Sequence, residues 1–164
     1  MTDPSVPIPV LPNELLAVLP DGFNTEVCPA AIEWWRSAAK TLRDGKLLAF
    51  DYGLTAEQFF TPERKSGTLR AYHQHHVSHD ILERAGEQDI TASVNFTAIQ
   101  NAGESAGLVT ETFSTQAQFL TDTVAASAND AGFNEWFAPR TRQFQTLTHP
   151  EHLGQSFRVL VQNR

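Results

Sequence analysis

Between Pro29 and Asp44 the apolar positions Ala31, Trp34, Trp35, Ala38, Ala39 and Leu42 recur at helical spacing, which predicts an amphipathic helix. Pro29 suits its first turn, where a missing N–H costs nothing, and Gly45 suits its C-terminal cap. The pattern then changes. KLLAFDYG, residues 46–53, is a continuous apolar run closed by Asp51, Tyr52 and Gly53, and such a run without polar alternation predicts a strand covered on both faces.

A polar connection over 54–66 carries one helical turn around Glu57–Phe60, and the strand-like TLRAYHQ follows. Residues 76–94 read as loop, and Asn95 can cap a helix through Phe96, Ile99 and Gly103 to Ala106. LVTETFS, 108–114, reads as a strand. A helix over 115–128 puts Ala117, Leu120 and Val124 on one face, and another around 134–146 carries Trp136, Phe137 and Phe144. In SFRVLVQ the alternation of Phe157, Val159 and Val161 predicts a strand with one buried face. Four prolines in residues 1–12 block helix and central strand alike, so an extended lead-in over 1–18 is expected ahead of one domain over 19–164. A parallel strand with helices on both faces needs neighbours on both edges, and 46–53 is the one strand here that reads as central.

Composition narrows the class. With 164 residues, 41% hydrophobic, the chain reads as a soluble globular protein with a real core. The net charge is −7, and the basic residues are scattered, as at Arg36, Arg43, Arg64, Arg70 and Arg140, without forming a stripe, so no nucleic-acid partner is expected. Cys28 is the single cysteine, which excludes an intramolecular disulfide and a thiolate zinc cage. The start has neither a basic nor an apolar signal region, and no stretch approaches the ~20 apolar residues of a membrane span. A cytoplasmic protein with no membrane partner is the expectation.

Two clusters could carry chemistry. His73, His75, His76 and His79 look like ligands, yet strand alternation would put His73 and His75 on one face and His76 on the other. No recognised ligand spacing is present, so no metal site is expected. The second cluster is Glu87, Gln88, Asp89 and Thr91, with Asp51 and Tyr52 at the end of the apolar strand. Ligands in open α/β sheets sit beyond the carboxyl ends of strands. Asp51, Glu87 and Asp89 could therefore hold a cationic group such as a guanidinium. Equally, Asp51 could cap a turn while Glu87 and Asp89 form a solvated loop. No nucleotide cradle of the GxGxxG or GxxxxGKS kind is encoded.

The blocks "LLAFDYG", "GTLRAYHQH", "GEQDITASVNFTAI", "TQAQFL" and "LTHPEHLGQSFRVLVQ" resemble, in order, the C-terminal half of the MidA-type S-adenosylmethionine-dependent methyltransferases. That family includes the mitochondrial complex I assembly methyltransferase, which acts on protein arginine. The resemblance runs from about Leu19 to Gln162. It implies an α/β fold: the C-terminal part of a Rossmann-like class I methyltransferase sheet, mostly parallel with antiparallel final strands. On that map 47–51 is similar to the family's fifth strand, and 108–114 and 156–162 to its last two. Asp51-Tyr52-Gly53 match the family's Asp-Tyr-Gly turn. Arg70, Tyr72 and His75 match its GTLR-x-Y-x-x-H block, and Glu87, Gln88, Asp89 and Thr91 its GEQDIT block. The resemblance implies catalytic candidates Asp51, Glu87 and Asp89, with Tyr52, Arg70, Tyr72, His75, Gln88 and Thr91 on the substrate side; Arg70 or Glu87 could instead be ion-pair partners that hold the fold.

The departures are specific. Where many relatives read Ala-His-Val-Asp-Phe, this chain reads Ala92-Ser93-Val94-Asn95-Phe96, so a His and an Asp are lost together. Asn13-Glu14-Leu15-Leu16 is similar to the family's loop after its fourth strand, but lies closer to Asp51 than in relatives. The glycine-rich S-adenosylmethionine loop and the acidic ribose ligand have no counterpart here, so the cofactor-binding half is expected to lie outside this chain, which alone would be inactive. Two readings follow: the substrate-side segment of a protein methyltransferase with arginine as acceptor, or a non-catalytic split or decayed half that works as a partner module. The partners expected are a protein substrate, a missing half or partner chain, or another copy of the chain.

Overall fold

The computed structural model describes residues 13–74, 76–127 and 138–164. Helix α1, Asn13–Leu16, is one turn, so this part of the expected extended lead-in is helical; residues 1–12 lie outside the described residues. Helix α2, Pro29–Thr41, opens with Pro29 in its first turn and buries Trp35 and Ala39, with Ile32 packed one turn earlier on the same stripe. It stops short of Asp44. Leu42 is already extended, and Gly45, at φ +115°, belongs to the turn into the next strand rather than to a helix cap.

Strand β1, Lys46–Leu54, runs into the short helix α3, Ala56–Phe59. Thr55 and Gln58 form a reciprocal capping box there, which satisfies two otherwise orphaned donors. The span read as loop contains two further short strands. β2, Arg70–His73, lies between β3, His76–Ser78, and β4, Asp89–Thr91, in a three-stranded antiparallel sheet. Its strands are three or four residues long, too short for alternation to show in a sequence. β5, Val94–Asn95, leads into α4, Phe96–Ser105, and Asn95 Oδ1 accepts from Ala98 N at 3.1 Å, the expected cap. β6, Val109–Thr115, α5, Gln116–Ser127, α6, Ala138–Thr148, and β7, Phe157–Asn163, complete the chain. Trp136 and Phe137, expected on the helix now seen as α6, lie outside the described residues.

The larger sheet has the order β5-β1-β7-β6. β7 pairs antiparallel with both β1 and β6, and β5 meets β1 in parallel at Gly53 and Leu54. An α/β layer with antiparallel final strands is the expected fold class. The expected burial is exchanged between two strands, however. β7 is covered on both faces: Val159 and Leu160 are 0% exposed, and so is Gln162. β1 is covered on one, with Leu48 at 49% and Phe50 at 42%. The misreading has a physical cause. Gln162 looks like an outward polar residue, but its amide accepts from Trp35 Nε1 (2.7 Å) and donates to the Gln100 carbonyl (3.0 Å) and Thr110 Oγ1 (2.9 Å). A buried amide with its partners met can occupy a core position.

On this face α2 and α4 pack Trp35, Phe96, Ile99 and Ala102 against Leu160, with Leu47, Ala49 and Phe113 around them. Burying a side chain of the size of Phe96 or Leu160 contributes about 1.5–3 kcal/mol. Gly103 brings α4 close: a Cβ there would lie 1.8 Å from Gln162 Oε1. The opposite face is covered in part by α5, whose Phe119 meets Phe50 edge-on at 5.3 Å. At the far end of the helices, Arg164 Nη1 donates to the Leu42 carbonyl (2.9 Å), its Nη2 donates to that of Ala106, and its backbone N–H donates to Gly45 O (3.1 Å).

Candidate functional site

α2 ends beside the start of β1, so its first turn lies toward the end where β1 finishes; α4 begins at that same end, directly after β5. A cleft of 710 Å³ opens between the two helix starts. Ile32 of α2, Phe59 and Phe60 after β1, Leu69 before β2, and Val94 and Ile99 give it apolar walls, and Glu26, Ser93 and Asn95 are polar groups in its lining. This is the carboxyl end of β1, where open α/β sheets hold ligands.

Glu26, in the segment before α2, ties the cleft together, and nothing in the sequence pattern marked it. Its carboxylate accepts from the Thr68 backbone N–H (2.9 and 3.1 Å) and from the Thr68 hydroxyl. The same Thr68 hydroxyl oxygen accepts from Ser93 N at 2.8 Å. Three segments distant in sequence thus meet on one buried threonine. Gly67 permits this approach: its φ is +74°, and a Cβ would lie 2.4 Å from Glu26 Oε2. The Gly-Thr of the GTLR block therefore serves as a receptor for a carboxylate of its own chain.

Four of the expected site residues share one face of the small sheet. β2 and β4 pair with Arg70 opposite Thr91 and Tyr72 opposite Asp89, and side chains two apart on a strand point the same way. Arg70, Tyr72 and Thr91 are half-buried there and Asp89 is exposed. Glu87 is exposed in the loop before β4, and its carbonyl accepts from His73 Nδ1 at 2.7 Å, which fixes the proton on that nitrogen. Gln88 holds the loop, its amide donating to Ile81 O (2.7 Å) and Asp80 O (3.4 Å). His75 lies outside the described residues.

Asp51 and Tyr52 belong to the other sheet. Asp51 Oδ1 accepts from Tyr52 N at 2.7 Å, and the Tyr52 ring packs at a 48° tilt against Phe157, 4.0 Å between centroids, while staying 42% exposed. Among the described residues no hydrogen bond or ion pair joins Asp51 to Glu87 or Asp89. Arg158 pairs with Asp51 across β1 and β7, and its buried Nε has no partner among the described residues. Ser93 and Asn95, which stand where relatives were expected to carry His and Asp, both line the cleft. Here they act through a backbone amide and a helix cap.

The glycine-rich turn that would seat S-adenosylmethionine needs a strand, a glycine and a helix in succession. The described strand-to-helix junctions pass through Thr55, Asn95 and Thr115, while the glycines at positive φ, Gly22, Gly45, Gly67, Gly86 and Gly107, precede strands or lie in turns. The described residues alone do not fit that cofactor. Among them no group of three His, Cys, Asp or Glu side chains converges as metal ligands. No described helix is long and apolar enough to cross a membrane.

A crystal structure of a protein from Burkholderia thailandensis, described as a "likely methyl transferase" and bound to S-adenosyl-homocysteine, is 29% identical over 93% of this chain, with a TM-score of 0.77. A second structure, of an uncharacterised protein from the same organism, is 31% identical over 85% of the chain, with a TM-score of 0.73. This chain spans 40% and 38% of those two proteins. No curated protein matches it. A family described as "putative S-adenosyl-L-methionine-dependent methyltransferase" matches residues 3–114, more than half of the chain. The chain belongs to that methyltransferase family.

Proposed function

We propose that this chain is the substrate-side part of an S-adenosylmethionine-dependent protein methyltransferase of the MidA type, acting in the cytoplasm, with an arginine side chain as acceptor. Family membership supports the reaction class. The observation that carries the acceptor is the β2–β4 register, in which Tyr72 and Asp89 are cross-strand partners on the face that also bears Arg70 and Thr91. A carboxylate beside a half-buried aromatic ring suits a guanidinium, which takes a bidentate carboxylate along its edge and a ring against its plane. On this reading Asp89 and Glu87 bind and orient the acceptor, and Asp51, at the end of β1, is the third candidate carboxylate. Their contribution is alignment before transfer. A complete enzyme carrying this segment should lose at least about tenfold in kcat/KM when Asp89→Asn or Glu87→Gln is introduced, the loss of one charge-assisted contact. Unchanged turnover in both variants removes this face from acceptor binding.

A second reading is a non-catalytic module that works by joining a partner. It is favoured by the misfit between the described residues and the cofactor. Methyl transfer by the complete assembly separates the two, since the module reading expects none.

A further inference from the structure

The face of the small sheet that carries Tyr72 and Asp89 holds a second cross-strand pair beside them, Arg70 opposite Thr91. Both of its side chains are half-buried. Ala71, between Arg70 and Tyr72, turns the other way and is 0% exposed, so β2 is seated on the molecule by its Ala71 side and presents the Arg70–Tyr72 side. The ion pairs among the described residues are Arg36–Glu33 and Lys46–Glu111. None joins Arg70 to Asp89, Glu87 or another described carboxylate, and no hydrogen bond ties its guanidinium to a described residue. A half-buried guanidinium has given up part of its hydration, and a carboxylate replaces it through parallel N–H···O bonds. The Thr91 hydroxyl opposite is a further donor for the same anion.

The two pairs offer opposite chemistry side by side. Tyr72 and Asp89 suit a guanidinium, and Val77, the cross-strand neighbour of Tyr72 on its other side and 54% exposed, gives the aliphatic stem of an arginine an apolar rest. Arg70 and Thr91 suit a carboxylate. Residues two apart on a strand are about 7 Å apart, which is also the spacing of same-side residues in an extended peptide. We propose that this face reads an acidic residue near the acceptor arginine, two positions away when the substrate segment lies extended along β2. Arg70 and Thr91 take its carboxylate while Asp89 and Tyr72 take the guanidinium. The inference rests on the acceptor reading above and narrows the substrate from any exposed arginine to one with an acidic neighbour. The charge of the whole molecule acts the other way: at −7 the chain attracts the more basic of two peptides, so a preference for the acidic one reports local recognition.

Calorimetry on the full chain tests this with synthetic peptides of otherwise uncharged sequence, each with a central arginine and, two positions before or after it, aspartate, asparagine or lysine. A further peptide keeps the aspartate and has glutamine for the arginine. At about 0.01 M salt the aspartate peptide, in one of its two placements, should bind about three- to fivefold tighter than its asparagine counterpart, with lysine weaker still, and the difference should fade toward about 1 M salt. Arg70→Gln should bring the aspartate peptide down to the asparagine one. Circular dichroism checks the fold of that variant, and the comparison of peptides on the unaltered chain decides alone should it not fold. Equal affinities for the aspartate and asparagine peptides in both placements would overturn the inference and leave the acceptor reading standing, and so would a preference that survives in folded Arg70→Gln. Binding that ignores the exchange of arginine for glutamine, or no binding of any peptide, would overturn both.

Discussion

Gln162 shows how much one side chain can decide. Its amide is fully buried with three partners, so Gln162→Leu trades a satisfied group for one that strands the Trp35 indole N–H and the Gln100 carbonyl. Leaving such groups unmet costs about 1–3 kcal/mol, and urea unfolding should show the loss as a lower midpoint with an unchanged slope. Asn95 makes the opposite prediction. It caps α4 through Oδ1, a task an aspartate performs equally well, so Asn95→Asp should keep the unfolding midpoint whereas Asn95→Ala should cost about 1 kcal/mol. If Asn95→Asp also collapsed the fold, the cap would not be its role. The cap was legible in the sequence, since it depends on residues three apart. Glu26 was not, because its partner is the buried Thr68, 42 residues away, and no local pattern encodes such a meeting.

At the scale of elements, the link between α4 and β6 is electrostatic as well as apolar. The Thr110 hydroxyl donates to Glu104 at 2.7 Å, and the Gln100 amide at 3.1 Å. These two bonds, that of Thr110 foremost, hold the Glu104 carboxyl below its ordinary range against a slight opposing effect of burial. A carboxyl lowered in the folded state adds stability above its unfolded value and loses it as pH falls through the folded one. Thermal unfolding followed from about pH 6 down to about pH 3 should therefore show a shallower acid limb in Thr110→Val. The same variant also loses the Gln162 bond, which shifts the curve at every pH without changing its slope. An unaltered slope would show that Glu104 does not contribute in this way.

The elements themselves were legible unevenly. α2, α4 and α5 were read from period and caps, and β6 and β7 from their apolar residues. Coverage was not: KLLAFDYG reads as doubly buried because Leu48 and Phe50 are apolar, but apolarity states what a face could be packed against, and Leu48 stays 49% exposed. β3 and β4 are only three residues each, below the length at which alternation separates a strand from a loop.

For the molecule as a whole, the expected methyltransferase class holds at the level of the family. The resemblance brought Arg70, Tyr72, Asp89 and Thr91 together before their shared face was seen. It also grouped them with Asp51, which belongs to another sheet. The cleft escaped notice because its walls come from ordinary core residues of α2, α3 and α4. Calorimetry with S-adenosylmethionine on the folded chain alone should give no heat of binding, since the described residues form no cradle for it. Micromolar binding would mean that a seat for the cofactor exists outside the strand-to-helix junctions described.

Arg164 leaves one consequence for how the helical layer moves. A single guanidinium closes the last carbonyls of both α2 and α4, and the backbone beside it fastens to Gly45. The two helices therefore cannot fray independently, because releasing one end frees the clasp of the other. Both helix starts border the cleft, so this clasp ties the two walls together at the end of the helical layer opposite it.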